Sequence, residues 1–147
     1  MQETEAEKLF TSGLNALAQG NTLTALTLFE KAVQRDEKPA YYCYLALCIA
    51  KERGQFQLAV TLCEKAKAQE PQNPLHYLNL GKIYLYAGKT DDAIRTFREG
   101  LSHEKDQTIT DELNKLAPRK PPVVSFLKRS NLVNRFLGTI LTKLGLR

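Results

Sequence analysis

The chain has 147 residues and a net charge of +5, enough for one compact domain or a short repeat array with an appendage, and too few for two large domains. The charge is unevenly placed: residues 1–117 hold all 16 acids beside 14 bases, a balance of −2, whereas residues 118–147 hold seven bases and no acid. This asymmetry argues against a uniformly basic nucleic-acid binder. It points to an appended element whose partner is acidic, anionic or the rest of the protein.

The opening residues, MQETEAEKLF, have neither a basic n-region nor an apolar h-region, and no apolar run in the chain is long enough to span a bilayer. The expectation is a soluble, non-secreted, cytoplasmic protein, at most peripheral to a membrane. Cys43, Cys48 and Cys63 show neither C-x-x-C spacing nor a neighbouring His pair, so they read as buried free thiols in a reducing compartment, not as metal ligands.

A shift of 34 residues superposes Gly20, Gly54 and Gly88, then Ala25, Ala59 and Ala93, then Leu26, Val60 and Ile94. It also aligns Phe29, Cys63 and Phe97, and Ala32, Ala66 and Gly100. A gapless period of this length predicts a helix-turn-helix solenoid. Each unit has a helical apolar pattern, a glycine that stops the first helix, a polar stretch and a second helical pattern. The three alanines allow the paired helices to approach. Phe29 and Phe97 fill the space between turns; Cys63 fills it less well, so the middle unit is expected to pack differently.

On these residues the chain resembles the tetratricopeptide repeat (TPR) family. The third unit carries Tyr77, Leu80-Gly81, Tyr84, Ala93, Phe97 and Gly100, and the first keeps Gly13, Ala25, Phe29 and Ala32. The second keeps Ala59, Ala66 and Pro71, with Leu47 where the family has Gly and Ala50 where it has Tyr. The resemblance implies a small, bacterial-type TPR protein. Its fold would be all-α, a right-handed α-solenoid of three TPR helix pairs (about 6–39, 40–73 and 74–107), followed by a capping helix and a C-terminal amphipathic helix.

The same resemblance implies that the first helix of each unit lines a concave peptide-binding groove. By register its residues are Phe10, Leu14 and Leu17; Tyr41, Tyr44, Leu45, Cys48 and Lys51; and Leu75, Leu78, Asn79, Lys82, Leu85 and Tyr86. About half of them are expected to be inter-repeat core instead, since burial is the commonest fate of Leu. Some family members hold the carboxylate end of heat-shock chaperones through a clamp of Lys, Asn and Arg. Phe10 and Leu14 occupy clamp positions here, so a hydrophobic, Pro-containing peptide suits this groove better.

Chemistry is not expected. His76 and His103 are the only histidines, lie on different elements, and belong to no metal-binding or phosphate-cradling motif. Asp91-Asp92 reads as the acidic start of a helix. Cys43 and Cys48, five residues apart on a helix, diverge in direction and make a poor redox couple. No enzyme activity, cofactor or metal is assigned.

After the repeats, residues 108–117 form the expected capping helix, with Ile109, Leu113 and Leu116 covering the last apolar face and Thr108 and Asp111 as a capping-box-like start. Pro118, Pro121 and Pro122 end it and begin an extension over 118–147. In that extension Val123, Val124, Phe126 and Leu127 are apolar, and Leu132, Val133, Phe136, Leu137, Ile140, Leu141 and Leu144 form one helical stripe with Ser130 as N-cap. Ordering the segment costs about what its burial returns, so this helix should persist only when docked.

Three docking surfaces compete for the tail: its own or a neighbouring array (self-association), an anionic membrane surface, and a separate protein. The first is favoured because the array is acidic. Nucleic acid ranks last, because Phe126 and Phe136 are the tail's only aromatics and both fit the packing pattern. The expected function is protein or peptide binding as an adaptor or scaffold. Two alternatives are a secretion-type chaperone guarding a hydrophobic segment and a membrane-peripheral assembly factor anchored by the tail. Against the chaperone, only five residues precede the first unit, where those chaperones have a leading helix.

Overall fold

In a computed structural model of the protein, residues 2–117 are described; they form seven α-helices and, among the described residues, no strand. The helices are α1 (Glu5–Ala18), α2 (Thr22–Arg35), α3 (Pro39–Arg53), α4 (Phe56–Gln69), α5 (Pro74–Tyr86), α6 (Thr90–His103) and α7 (Gln107–Leu116). The first six make three antiparallel pairs, and α3 packs on α2, α4 and α5. The all-α solenoid expected from the period is thus observed. All seven helices fall in a compact unit, Met1–Lys115, apart from the last residue of α7.

Helix ends follow from local chemistry. Thr4 accepts a hydrogen bond from Glu7 N (3.1 Å) while Glu7 Oε2 accepts one from Thr4 N (2.9 Å), a capping box that starts α1. Pro39 and Pro74 sit in the first turn of α3 and α5, where a missing N–H costs nothing. Within each pair the turn is made by Gly20, Gly54 or Gly88, at φ of 82°, 65° and 76°, the only positive-φ residues described. After Gly20 and Gly88 the chain closes with Asn21 N donating to Ala16 O and Lys89 N to Tyr84 O, both 2.8 Å, which satisfies carbonyls left open at the helix end.

The expected start of α7 is corrected. Asp106, not Thr108, begins it: Asp106 Oδ1 accepts from Ile109 N at 2.9 Å. Asp111 instead accepts from the Gln107 side chain. Ile109 is fully buried and, like Tyr77, lies against Gly100, whereas Leu113 and Leu116 are half-buried.

Ala25, Ala59 and Ala93 are fully buried, as the close approach of paired helices requires. The unequal packing of the middle unit has a specific cause. In the outer units the Phe ring of the second helix lies on a glycine of the first. A Cβ at Gly13 would fall 2.5 Å from Cε1 of Phe29, and one at Gly81 still closer to Phe97. The middle unit replaces both partners together, Phe by Cys63 and Gly by Leu47, and both replacements are buried. A large residue has moved from one helix of the pair to the other.

Long-range ion pairs, Lys38–Glu7 (3.3 Å), Arg53–Glu30 (3.4 Å) and Lys67–Glu99 (3.5 Å), are mostly exposed. Solvent screening leaves such pairs little net contribution, so apolar packing holds the array together. No described helix is long and apolar enough to cross a membrane. The extension from residue 118, with the tail-docking positions Val123 to Leu144, lies outside the described residues.

Candidate peptide-binding face

Helices α1, α3 and α5 supply all fourteen residues expected to line the groove, but the structure sorts them by depth. Tyr41, Leu45, Cys48 and Asn79 are core, and so cannot meet a ligand without rearrangement. Asn79 is turned inward, its Nδ2 donating to the Cys43 carbonyl at 3.5 Å. Phe10, Leu14, Leu17, Tyr44, Leu75, Leu78, Lys82 and Leu85 are half-buried, and Lys51 and Tyr86 are exposed.

Two surfaces result. Near the start of the face, Phe10 packs on Phe29, Tyr41 and Tyr44, with ring centroids 5.6, 4.6 and 5.5 Å away. Where a clamp would place a basic group, Phe10 is anchored in this aromatic cluster. At the far end, Leu17, Lys51, Lys82, Leu85 and Tyr86 line one depression of about 360 Å³, joined by Thr22, Leu47 and Glu112. The sequence reading did not include these last three. Thr22 and Leu47 belong to the inter-helix packing, and Glu112 comes from α7, beyond the repeat register.

The depression is of mixed polarity. Neither Lys51 nor Lys82 takes part in an ion pair among the described residues, while Glu112 is paired with Lys115 at 2.8 Å. Two cations beside Leu17, Leu85 and Tyr86 suit an apolar segment that also carries an anionic group.

A second constellation escaped the sequence reading. Cys43 of α3 and Cys63 of α4 bring their sulfurs to 3.4 Å in the core. Each thiol also reaches a carbonyl in the first turn of α5, Cys43 that of Leu75 (3.8 Å) and Cys63 that of His76 (3.7 Å). The buried His76 ring holds Glu70 Oε1 at 2.7 Å through Nε2, and its Nδ1 has no hydrogen-bond partner. Burial works against ionisation of Cys43, but the contact with Cys63 and the nearby His76 favour its thiolate and lower its pKa. Cys63 is correspondingly pushed up by the Cys43 sulfur, and Cys48, merely buried, rises to about 12. Spacing within one helix separated Cys43 from Cys48, but only the α3–α4 contact could pair Cys43 with Cys63.

The His76–Glu70 contact has a pH signature. Burial pulls the imidazole's pKa down, but Cys43 and Glu70 outweigh it, so the net shift is upward; the hydrogen bond to His76 lowers that of Glu70. The Glu70 contribution is present above the ordinary carboxyl value of 4.5 and is lost as pH falls through its lowered value. The His76 contribution is complete below the ordinary value of 6.5 and is lost as pH rises through its raised value. The melting-temperature gap between wild type and Glu70→Gln should therefore peak between these two pH values and shrink on both sides. A gap independent of pH would contradict the pair.

Comparison with known proteins places this architecture. Profiles described as "Tetratricopeptide repeat" match residues 10–74 and 50–109, together spanning all three helix pairs. The chain is 27% identical over 124 residues to the "Protein STIP1 homolog" of Dictyostelium discoideum, matching 80% of itself and only 22% of that relative's length. Among solved structures it is similar to the first TPR of Spaghetti (RPAP3) bound to the HSP90 peptide SRMEEVD. That match has a TM-score of 0.63 at 21% identity and covers 80% of this chain and 96% of that one. It is also similar to the type III secretion translocator chaperone SycD of Yersinia enterocolitica, with a TM-score of 0.60 at 17% identity, covering 78% of this chain and 86% of that one. With the 34-residue register, the glycine turns and the Phe-on-Gly packing of the fold, these matches show that the chain belongs to the tetratricopeptide repeat family.

Proposed function

We propose that the protein is a non-enzymatic interaction module, an adaptor or scaffold, that holds a peptide or a single helix of a partner against the α1–α3–α5 face. Apolar side chains make most of the contact, and Lys51 and Lys82 select a segment with an acidic group beside its apolar ones. The observation that carries this reading is the depression of about 360 Å³, where Leu17, Leu85 and exposed Tyr86 adjoin two lysines outside any ion pair among the described residues. Membership of a family of interaction modules supports it, as does the acidic HSP90 peptide held by the Spaghetti repeat. A carboxylate clamp of the family's kind is not proposed, because Phe10 and Leu14 offer no donor. Nor is the basic tail the favoured occupant of this depression, since its seven bases would meet two more.

Selection of displayed random peptides on the full chain tests the proposal. Enriched sequences should combine apolar residues with Asp or Glu. An enriched peptide should bind Tyr86→Ala and Lys82→Glu about tenfold more weakly, the loss typical of a central contact, while both variants keep their melting temperature. Equal affinity for wild type and both variants would sink the assignment. Enrichment of long apolar sequences without acids would favour the secretion-chaperone reading instead.

A further inference from the structure

We propose that Cys43 and Cys63 form a redox-active dithiol that a hydroperoxide closes to an intramolecular disulfide joining α3 to α4. The inference rests on geometry and is independent of what the apolar face binds. The two sulfurs are already 3.4 Å apart with no side chain between them, and closing the bond requires them to approach by about 1.4 Å. They belong to the two paired helices of a single repeat, so no inter-unit movement is involved. The middle unit, with a Cys where its neighbours have Phe29 and Phe97, is where such a pair can arise.

The surroundings differ from those of an inert buried cysteine. His76 lies in the same cluster, wholly buried, with Nδ1 lacking a hydrogen-bond partner. Its other nitrogen is held by Glu70, whose side chain is 45% exposed. His76 lies near Cys43 and its Nε2 reaches Glu70, so groups that accept and release protons lie between the core thiol and the surface. By contrast, Cys48 has no such neighbour and sits in the core as an apolar filler. In the connection between α4 and α5, Glu70, Pro71 and Gln72 are exposed, and Glu70 and Pro71 bond to His76 and Tyr77 in the first turn of α5, whose carbonyls both thiols touch. Local opening there admits a molecule as small as hydrogen peroxide.

The steps balance. His76 Nδ1 takes the Cys43 proton, and the thiolate sulfur attacks one peroxide oxygen, forming an S–O bond and breaking O–O. The departing hydroxide takes the proton back from His76 and leaves as water. The Cys63 sulfur then attacks the Cys43 sulfenic sulfur. An S–S bond forms, S–O breaks, and the second hydroxide leaves as water with the Cys63 proton. Two thiols are oxidised and one peroxide is reduced to two waters.

The test uses the full chain, reduced and then treated with hydrogen peroxide, alkylated and digested with trypsin. Cys43 and Cys48 fall in one tryptic peptide, 36–51, and Cys63 in another, 54–65. The expected result is a cross-linked pair of these peptides, two hydrogens lighter than their sum, in both wild type and Cys48→Ala. It should vanish in Cys63→Ala and on treatment with dithiothreitol. Should Cys48→Ala fail to fold, fragment-ion sequencing of the wild-type pair makes the same assignment. Glu70→Gln, altered only at an exposed side chain, should slow closure about tenfold by loosening His76. Full alkylation of both thiols after peroxide, a cross-link through Cys48, or irreversible oxidation of Cys43 alone would each overturn the proposal. Equal closure rates in wild type and Glu70→Gln would overturn the part assigned to His76.

Discussion

Gly81→Leu is expected to destabilise the protein by about 3 kcal/mol or more, because its side chain must enter space held by the Phe97 ring. Phe97→Cys alone should cost about 3–5 kcal/mol by leaving a cavity at a fully buried site. Combined, the two changes should cost much less than their sum. The double variant reproduces in the third repeat what Leu47 and Cys63 already do in the second. Contacting residues that share one volume show this kind of non-additivity, often by more than 1 kcal/mol. Urea denaturation of wild type, both single variants and the double variant measures the coupling. A strictly additive double variant would mean that the Leu47–Cys63 exchange is not one of volume.

The second large effect is at Phe29. It is fully buried, lies over Gly13, and stands 5.6 Å from both Phe10 and Tyr44, ring centroid to centroid. Phe29→Ala should cost about 3–5 kcal/mol and should also weaken binding at the α1–α3 end of the face, because Phe10 and Tyr44 lose the ring they rest on. Leu58, 47% exposed, is the control, and Leu58→Ala should stay within about 0.5 kcal/mol of wild type. Thermal or urea melts compare the two. Similar losses at Phe29 and Leu58 would show that the aromatic cluster does not organise the core.

Much of the architecture was legible in the sequence. The glycines at 20, 54 and 88 marked turns that do adopt positive φ, since only glycine enters that region cheaply. The alanines at 25, 59 and 93 marked close helix contacts that are indeed fully buried. The candidate face was legible only in part, and α3 shows why. Its sequence, PAYYCYLALCIAKER, is apolar nearly all round because α2, α4 and α5 pack on it from different sides. With no polar face opposite an apolar one, periodicity could not separate core Tyr41, Leu45 and Cys48 from half-buried Tyr44.

What the amino-acid order determined by itself is the repeat: its period, its turns and the helical identity of each segment, because these depend on residues a few positions apart and on backbone sterics. What tertiary structure alone decided is which side chains meet. Glu112 reaches the depression from outside the repeat register. Asn79 turns inward to a carbonyl 36 residues away, and Cys43 touches a sulfur 20 residues away. These contacts depend on how one helix lies against another, and that is set by the summed fit of many side chains rather than by a local pattern.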